Sequence, residues 1–343
     1  MHPQKFSRRD FLKLSSAALL GLLLPDVELS RVSAYIPPNQ QGRILTDTLT
    51  LYKEPTDQSE KAASFWRDVV LPLNGVEVDD DSESHNRVWY RMGDYGFAYS
   101  GDIQPVRTEL QRPQEAVPAR GALAEVTVPY TDAREEPRED SKVTFRLYYD
   151  TTHWVAGAAS DDSGQAWYRL FDDRFNTHYY AQAKHLRLVP EGELLPLSPD
   201  VPSYQKAIEV RLSQQLVTAY EGSRMVFATR ASSGVRFRRG GYATPFGQFE
   251  TFYKRPTRHM AAGDIASNGY DLPGVPWVLY ITKSGISFHG TFWHNDFGTP
   301  HSHGCINLSP QAARWLYRWT LPAVPHDAPL AYKDYGTSVT IVD

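Results

Sequence analysis

His301-Ser302-His303-Gly304-Cys305-Ile306-Asn307 lies near the C-terminal end of the chain and holds the only cysteine among 343 residues. A thiol is nucleophilic only as the thiolate, so a reactive cysteine needs a neighbouring group that takes its proton or stabilises its charge. Imidazole titrates near neutral pH and can do this. Two histidines stand two and four positions before Cys305, and His289 stands sixteen positions before it. The stretch therefore predicts either a catalytic thiol or, as for many lone cysteines, a small buried apolar side chain.

The N-terminal residues have the order of an export signal. Ser7-Arg8-Arg9-Asp10-Phe11-Leu12-Lys13 is a twin-arginine pattern, and a mostly apolar run over 14–24 follows it. A membrane-spanning helix needs about 20 apolar residues, so this run is too short to be one. Val32-Ser33-Ala34 offers a small-residue cleavage site. We predict a twin-arginine signal peptide over 1–34, a mature chain that begins near Tyr35, and a location in the periplasm or the cell wall and extracellular space.

Charge excludes two classes of partner. Loss of 1–34 removes five basic and three acidic side chains, so the net charge changes from −4 to −6. Nucleic-acid-binding proteins carry a basic patch or stripe, which this balance does not favour. A net negative chain also has no electrostatic attraction to anionic lipid. We expect no nucleic-acid partner and no membrane association after signal cleavage.

Export changes the interpretation of Cys305. A chain with one cysteine forms no internal disulfide, and a free thiol outside the cytoplasm is exposed to oxidation. Retaining a lone thiol in that environment favours a functional role over simple packing. The cysteine is therefore the first candidate for chemistry in this chain.

Two stretches of the N-terminal half are similar to each other. Thr50-Leu51-Tyr52 is matched by Val128-Pro129-Tyr130, and Trp89-Tyr90-Arg91-Met92 is matched by Trp167-Tyr168-Arg169-Leu170, both at an offset of 78 residues. A shared offset at two separated points indicates an internal repeat.

Alternating apolar residues broken by acidic and glycine turns predict short strands inside each copy. We predict two small barrels, over 42–107 and 120–190, which resemble bacterial SH3-like domains. Core packing is the preferred role of the Trp-Tyr pairs, with a ligand groove as the alternative. Residues 35–48 are expected to be a linker, and Phe65–Leu73 either a short helix or an insertion.

After a proline-rich linker over 192–203, the alternation of apolar residues predicts a mostly β domain over 205–343. One helix is expected directly after the cysteine stretch. Ser309 is a suitable N-cap and Pro310 suits the first helical position, while apolar side chains from Ala312 to Trp319 share one face. The predicted fold class is mainly β, with two small SH3-like barrels, a β-rich third domain and this helix.

Four features of the third domain follow one another in order: Gln214-Gln215-Leu216 with Tyr220-Glu221-Gly222, Ser232-Ser233-Gly234 with Thr244-Pro245-Phe246-Gly247, Phe288-His289-Gly290-Thr291, and Phe297-Gly298-Thr299-Pro300 with Ser302-His303-Gly304-Cys305-Ile306-Asn307. In this order they resemble the YkuD-type L,D-transpeptidase catalytic domain. The family cross-links or remodels peptidoglycan. The resemblance therefore implies a cysteine enzyme without a cofactor, with donor and acceptor stem peptides as partners.

Within this resemblance, Cys305 is expected to be the nucleophile and His303 the preferred general base. The family implies that a backbone carbonyl near Gly290 orients the imidazole of that base. His289 is the competing proton carrier, and residues alone do not separate the two histidines. The N–H groups of His303-Gly304-Cys305 are expected to form the oxyanion hole.

Two further residues of the cysteine stretch are expected to support the substrate. Ser302 is expected to bind or orient it, and Asn307 either binds it or holds the loop. His294 and His301 are interpreted as surface residues.

Two alternatives belong to other classes. His289, His294, His301, His303 and Cys305 offer nitrogen and sulfur donors for zinc, although the spacing matches no common zinc motif. The chain is instead a wall-binding protein if the repeats carry its function. The acceptor (a second stem peptide, a free D-amino acid, water or a protein) and the oligomeric state are left open by the residues.

Overall fold

A computed structural model describes residues 36–81, 84–114, 116–237, 240–263 and 269–343. These residues are mainly β, with one α-helix among them. The predicted signal peptide over 1–34 and the predicted mature start at Tyr35 lie outside the described residues. No helix in the described ranges is both long enough and apolar enough to cross a bilayer.

Seven antiparallel strands form the first sheet, in the spatial order β3-β2-β6-β5-β4-β1-β7. A 3₁₀ turn over Ser100–Asp102 joins the sixth and seventh strands. The strand bounds are β1 (Gln41–Ile44), β2 (Thr48–Tyr52), β3 (Lys61–Trp66), β4 (Val70–Val78), β5 (Val88–Met92), β6 (Phe97–Tyr99) and β7 (Ile103–Val106).

The second sheet repeats this order, as β10-β9-β13-β12-β11-β8-β14, and a 3₁₀ turn over Ala183–His185 again joins its sixth and seventh strands. The repeat inferred from the sequence is thus present as two sheets of identical topology, here called copy one and copy two. The strand bounds are β8 (Ala122–Val126), β9 (Tyr130–Arg134), β10 (Val143–Tyr148), β11 (Thr152–Ser160), β12 (Ala166–Asp172), β13 (Thr177–Gln182) and β14 (Leu186–Leu188). Their SH3-like character and the boundaries 42–107 and 120–190 stay predictions.

Strand register corrects the offset between the copies. Arg91 lies opposite Gly75, and Arg169 lies opposite Gly157, each beside a β-bulge, so the Trp-Tyr-Arg stretches do correspond. By contrast, β2 corresponds to β9 at an offset of 82, with the same burial pattern. The match of Thr50-Leu51-Tyr52 with Val128-Pro129-Tyr130 is therefore wrong. Nine residues separate β4 from β5, against five between β11 and β12, and this longer turn accounts for the difference.

Three local expectations for the copies are settled by packing. Trp89 and Trp167 are both buried, which confirms core packing for these side chains. Phe65–Leu73 is neither a helix nor an insertion, because β3 and β4 occupy it. Residues 35–48 are not simply a linker, because Gln41–Ile44 pairs with both β4 and β7.

The third part of the chain holds two five-stranded sheets, ordered β17-β16-β15-β26-β20 and β24-β23-β22-β21-β25. Strands β18 and β19 form a separate antiparallel pair. The bounds are β15 (Lys206–Arg211), β16 (Leu216–Glu221), β17 (Arg224–Arg230), β18 (Arg236–Phe237), β19 (Gly240–Gly241), β20 (Gly247–Glu250), β21 (Tyr253–Ala262), β22 (Tyr270–Tyr280), β23 (Ser287–Gly290), β24 (Ile306–Leu308), α1 (Pro310–Trp319), β25 (Ala331–Tyr332) and β26 (Ser338–Val342).

Helix α1 forms where the sequence predicts it. The Ser309 hydroxyl accepts from the Ala312 N–H at 3.2 Å, which caps the helix at its start. At the other end the buried amine of Lys254 donates to the carbonyls of Tyr317 and Thr320, 2.5 Å and 2.8 Å away, although burial lowers the pKa of this amine well below its ordinary value. These hydrogen bonds satisfy carbonyls at the helix end that have no partner within the helix. Leu316 is fully buried in the core shared by the two sheets.

Copy two packs into that same core. Leu123, Trp154 and Val189 of copy two belong to one apolar cluster with Ile208, Phe288 and Leu316 of the third part. The strand that carries His289 and the strand that follows Cys305 thus pack on an apolar core that extends into copy two.

Candidate active site

Cys305 lies directly before β24, which pairs in parallel with β23. Phe288 is the partner of Ile306 and His289 is the partner of Asn307, so the cysteine comes beside Ser287. The Ser287 hydroxyl oxygen is 3.6 Å from the Cys305 sulfur, and the sulfur faces the Gly285 carbonyl at 3.7 Å. The thiol is partly exposed at this strand end. The sheet register therefore delivers the thiol to a defined place at the surface.

The protonation state of the thiol is set by its surroundings. Burial raises the pKa of Cys305 above the ordinary value, because a thiolate loses solvation there. The hydroxyl and backbone N–H of Ser287 oppose that shift by facing the sulfur. The resulting pKa is still raised, so the group is a neutral thiol at pH 7 and a base is needed to activate it.

His289 has the properties of such a base. Residues two apart on a strand share a face, so His289 lies on the same face of β23 as Ser287. Its imidazole is buried, and Nδ1 donates to the Gly290 carbonyl at 3.1 Å. Burial lowers the pKa of His289 to about 4, although the Gly290 carbonyl favours the charged form. The ring is therefore neutral at pH 7, and with Nδ1 protonated, Nε2 is the nitrogen that can accept a proton.

His303 occupies a different environment. The side chain is exposed, and its ring lies 4.5 Å from the Tyr242 ring and 5.3 Å from the Tyr270 ring, centroid to centroid. The expectation that the Gly290 carbonyl orients His303 is wrong, because that carbonyl binds His289. Sequence proximity favoured His303, whereas strand pairing brings the more distant histidine to the cysteine strand.

The Ser232-Ser233-Gly234 stretch holds the cysteine loop in place. Ser232 and Asn307 exchange two backbone hydrogen bonds of 2.9 Å each, and the Ser302 N–H donates to the Ser233 carbonyl at 3.0 Å. A Cβ on Gly234 would come within 1.8 Å of the Tyr242 carbonyl oxygen, so only glycine fits there. This is the physical reason that the two sequence features occur together.

Gly304 and Ser302 fix the conformation immediately before the sulfur. Gly304 has φ of +109°, which favours glycine. The Ser302 hydroxyl accepts from the Gly304 N–H at 3.1 Å and donates to the Cys305 carbonyl. Ser302 is thus placed to orient the loop. The Gly304 N–H is already engaged by Ser302, which argues against this member of the expected oxyanion hole, while the roles of the His303 and Cys305 amides stay predictions.

Asn307 and His294 form a second pair of side chains behind the cysteine strand. Asn307 is buried, and its Nδ2 lies 3.0 Å from His294 Nε2. Burial lowers the pKa of His294 to about 3, so the ring is neutral and accepts from the amide. The interpretation of His294 as a surface residue is wrong. Asn307 holds this loop rather than projecting freely toward substrate.

Sequence reasoning also missed the partners of His301. Its Nε2 lies 3.0 Å from Asp296 Oδ2, and its ring stacks on that of His294 with centroids 4.6 Å apart. Asp296 in turn meets Tyr99 and His85 of copy one. No local pattern marks the contacts of Asp296 with copy one, because Tyr99 lies 197 and His85 lies 211 residues away in sequence. Across the described ranges, no group of three or more His, Cys, Asp and Glu side chains is arranged to hold a metal ion.

The site therefore brings together a partly exposed thiol at a strand end, a neutral buried histidine on the neighbouring strand and a loop held by hydrogen bonds, an arrangement that can support nucleophilic chemistry. The sequence profile of the L,D-transpeptidase catalytic domain (YkuD) matches residues 205–341. This part of the chain is therefore a catalytic domain of the L,D-transpeptidase family.

Individual relatives agree with that assignment. YciB of Bacillus subtilis, a proposed L,D-transpeptidase, is 31% identical over 130 residues, which is 35% of this chain and 63% of that protein. L,D-transpeptidase 1 of Mycobacterium tuberculosis is 37% identical over 81 residues, 22% of this chain and 32% of that protein. The chain thus spans less than two thirds of the length of either relative.

Solved structures of the same family are also similar. The crystal structure of M. tuberculosis L,D-transpeptidase 1 is 25% identical to this chain, with a TM-score of 0.30. The match covers 40% of this chain and 62% of the M. tuberculosis chain. The crystal structure of an Enterococcus faecium L,D-transpeptidase C442S mutant is 22% identical to this chain, with a TM-score of 0.31. The match covers 40% of this chain and 49% of the E. faecium chain. The family assignment rests on the sequence matches.

Proposed function

We propose that the protein is an exported cysteine L,D-transpeptidase that acts on peptidoglycan stem peptides through a thioacyl-enzyme at Cys305. The observation that carries the proposal is the neutral imidazole of His289, anchored by the Gly290 carbonyl on the strand beside the cysteine. The family match over 205–341 supplies the substrate class.

In the first half-reaction, His289 Nε2 takes the proton of Cys305 as the sulfur attacks the carbonyl carbon of an L,D peptide bond in the donor stem. The C–S bond forms, and the oxygen carries the negative charge of the tetrahedral intermediate. In this proposal the Cys305 N–H stabilises that charge. The C–N bond then breaks, and the terminal D-residue leaves as an amine with the proton from His289.

In the second half-reaction, an acceptor amine attacks the thioester carbonyl and gives its proton to His289. The new C–N bond forms, the C–S bond breaks and the thiolate is reprotonated. Cysteine suits both steps because it is a good nucleophile and a good leaving group. A stem-peptide amine gives a 3→3 cross-link, a free D-amino acid gives exchange, water gives hydrolysis, and a protein amine gives anchoring.

His289 is the better base of the two histidines on physical grounds. A base must be neutral at working pH and held in one tautomer, and both conditions follow from its burial and from its Nδ1 hydrogen bond. His303 is exposed and lies against two tyrosine rings, which suits contact with substrate.

Export through the twin-arginine signal, a periplasmic or cell-wall location and SH3-like wall-binding copies complete the proposal. The substrate is outside the cytoplasm, so a chain of this function has to be exported. In a pull-down with purified sacculi, binding that survives Cys305→Ala with no change in muropeptides supports binding modules attached to an enzyme.

Incubation of the purified chain with a disaccharide tetrapeptide and a labelled D-amino acid tests the reaction. Mass spectrometry should show exchange of the terminal residue, a cross-linked dimer or the tripeptide, and Cys305→Ser should give none of these. A wild-type chain that leaves the tetrapeptide unchanged would falsify the enzymatic proposal.

A further inference from the structure

The loop between β23 and β24 carries His294 and His301 and lies against copy one. We call residues 291–301 the site loop. The Asn295 N–H donates to the Gly101 carbonyl at 3.0 Å, and Asn295 Nδ2 donates to the Ser100 carbonyl at 3.1 Å. The catalytic domain is thus hydrogen-bonded, through Asn295, to backbone carbonyls of copy one.

The Asp296 carboxylate of the site loop contacts side chains of copy one. Its Oδ1 accepts from the Tyr99 hydroxyl at 2.6 Å and faces His85 Nε2 at 2.8 Å, while Oδ2 faces His301 Nε2 at 3.0 Å. Burial raises the pKa of this carboxyl, but hydrogen bonds from His301, Tyr99 and His85 outweigh burial and hold it well below its usual range. One ionised carboxylate therefore ties copy one to His301.

The connection continues to the strand beside the nucleophile. His301 stacks on His294, and His294 Nε2 accepts from Asn307, which pairs with His289 across β23 and β24. The side-chain amide oxygen of Asn307 (Oδ1) and His294 Nδ1 are buried without a hydrogen-bond partner among the described residues. Such groups cost free energy, so their position has to be held by neighbouring contacts, here the stacked His301.

Copy two has no equivalent of these groups. Gln182 stands at the position of Tyr99, and Lys184 stands at that of Gly101. His85 lies in the turn that is four residues shorter in copy two. A Cβ on Gly101 would come within 2.9 Å of the Asp296 Cβ, so the close approach also depends on that glycine. The differences between the copies coincide with the contacts to the site loop.

We propose that copy one positions the catalytic centre: Tyr99 and His85 hold Asp296, and through His301, His294 and Asn307 they keep the cysteine strand in place. Tyr99, His85 and Asp296 are positioning residues, since none of them contacts the cysteine. The inference rests on the proposed function for its meaning in catalysis, and its test is built so that the two fail separately.

Tyr99→Phe removes one hydroxyl and keeps the ring that packs on Trp89 at 6.0 Å between centroids. Transfer by this variant should show kcat reduced about tenfold with KM within about twofold, because the reacting groups are displaced while substrate contacts stay. The rate of Cys305 alkylation by iodoacetamide, followed by intact mass at pH 7.5, should fall by a similar factor. Gln182→Ala, the matched change in copy two, should alter neither rate.

His85→Gln provides a second variant in case Tyr99→Phe fails to fold, and it should change both rates in the same direction. Folded Tyr99→Phe and His85→Gln proteins with unaltered alkylation and kcat would overturn the positioning role. If the wild-type chain transfers no acyl group, the proposed function fails, and the alkylation rates still decide the positioning role.

Discussion

Copy one and copy two share one strand order and attach to the same catalytic domain by different chemistry. Copy one meets the site loop through hydrogen bonds to Asp296 and Asn295. Copy two joins the apolar core and adds a buried group of charges, in which His259 lies between Asp172 and Asp271 at 2.7 Å and 2.5 Å. The same strand arrangement thus contacts the active-site loop in copy one and contributes to the core of the catalytic domain in copy two.

The comparison shows that the shared strand order does not determine how each copy contacts the catalytic domain. Strand positions are preserved between the copies, while turn length and a few outward side chains differ. A fully buried charge pair is costly to break, whereas part-buried hydrogen bonds to a loop contribute less to folding and can set the geometry of that loop. We therefore expect changes in copy two to lower stability and changes in copy one to lower reactivity.

The largest effect on stability is expected from Asp172→Asn. The Asp172 carboxylate is fully buried against His259, so the change leaves the imidazolium of His259 with a weaker partner and should destabilise the protein by about 3 kcal/mol. Urea unfolding followed by circular dichroism measures this. Asp132→Asn is the control, since Asp132 pairs with a half-exposed Arg146 and should cost less than about 1 kcal/mol. Equal losses for both variants would contradict a special role for the buried group.

A smaller effect is expected from Gly101→Ala in copy one. The new methyl group would meet Tyr99 Cε1 at 2.5 Å and the Asp296 Cβ at 2.9 Å, so the site loop has to shift. Overpacking of this kind should cost about 1 kcal/mol or somewhat more, and Cys305 alkylation should slow as well. Lys184→Ala at the matching position of copy two should change neither quantity. Unchanged alkylation in Gly101→Ala would contradict the contact as a positioning device.

The two attachments should also differ in their response to pH. Burial lowers the pKa of His259, but hydrogen bonds to Asp172 and Asp271 outweigh it, so the pKa is raised. The folded state then binds the proton more tightly, and the stabilisation is complete below pH of about 6.5 and is lost as pH rises through the raised pKa.

The stability difference between wild type and His259→Gln should therefore narrow from pH 6 to pH 9, as urea unfolding at each pH can show. Asp296, whose pKa is lowered, stays ionised over the same range, so its own titration adds no pH dependence there. A difference for His259→Gln that widens with pH would contradict the sign of this shift.

The smallest effect is expected at a pair of surface contacts that both copies share. Lys53 lies 2.8 Å from Glu60 in copy one, and Lys142 lies 2.7 Å from Glu135 in copy two, with all four side chains exposed. Exchange of either lysine for methionine should change stability by less than about 0.5 kcal/mol. A loss above 1 kcal/mol in one copy alone would show that the copies differ in their framework as well as in their contacts.

The sequence was sufficient to predict the β-rich catalytic domain, the helix after the cysteine and its Ser309 cap. Alternation of apolar residues, helix-cap residues and an ordered set of motifs are local signals, which can be identified in the sequence alone. The cysteine and both candidate histidines could be found in the same way. The choice between the histidines could not, because it depends on which strand pairs with β24 and on the carbonyl next to His289.

Contacts between domains were beyond sequence reasoning for a related reason. Tyr99 and Asp296 lie 197 residues apart, and His259 meets Asp172 from 87 residues away. Neither pair has a spacing that a strand or helix would impose. Even the repeat offset was distorted by a four-residue difference in one turn, since a fixed offset assumes equal turn lengths.

Acylation of Cys305 by a carbapenem, timed by intact mass spectrometry, tests the active site most directly. Wild type should gain the mass of one carbapenem on the Cys305 peptide. His289→Gln should slow that gain about 100-fold or more through loss of the general base, and His303→Gln by less than about tenfold. An adduct on another residue, no adduct on wild type, or a larger loss in His303→Gln than in His289→Gln would contradict the assignment of Cys305 and His289.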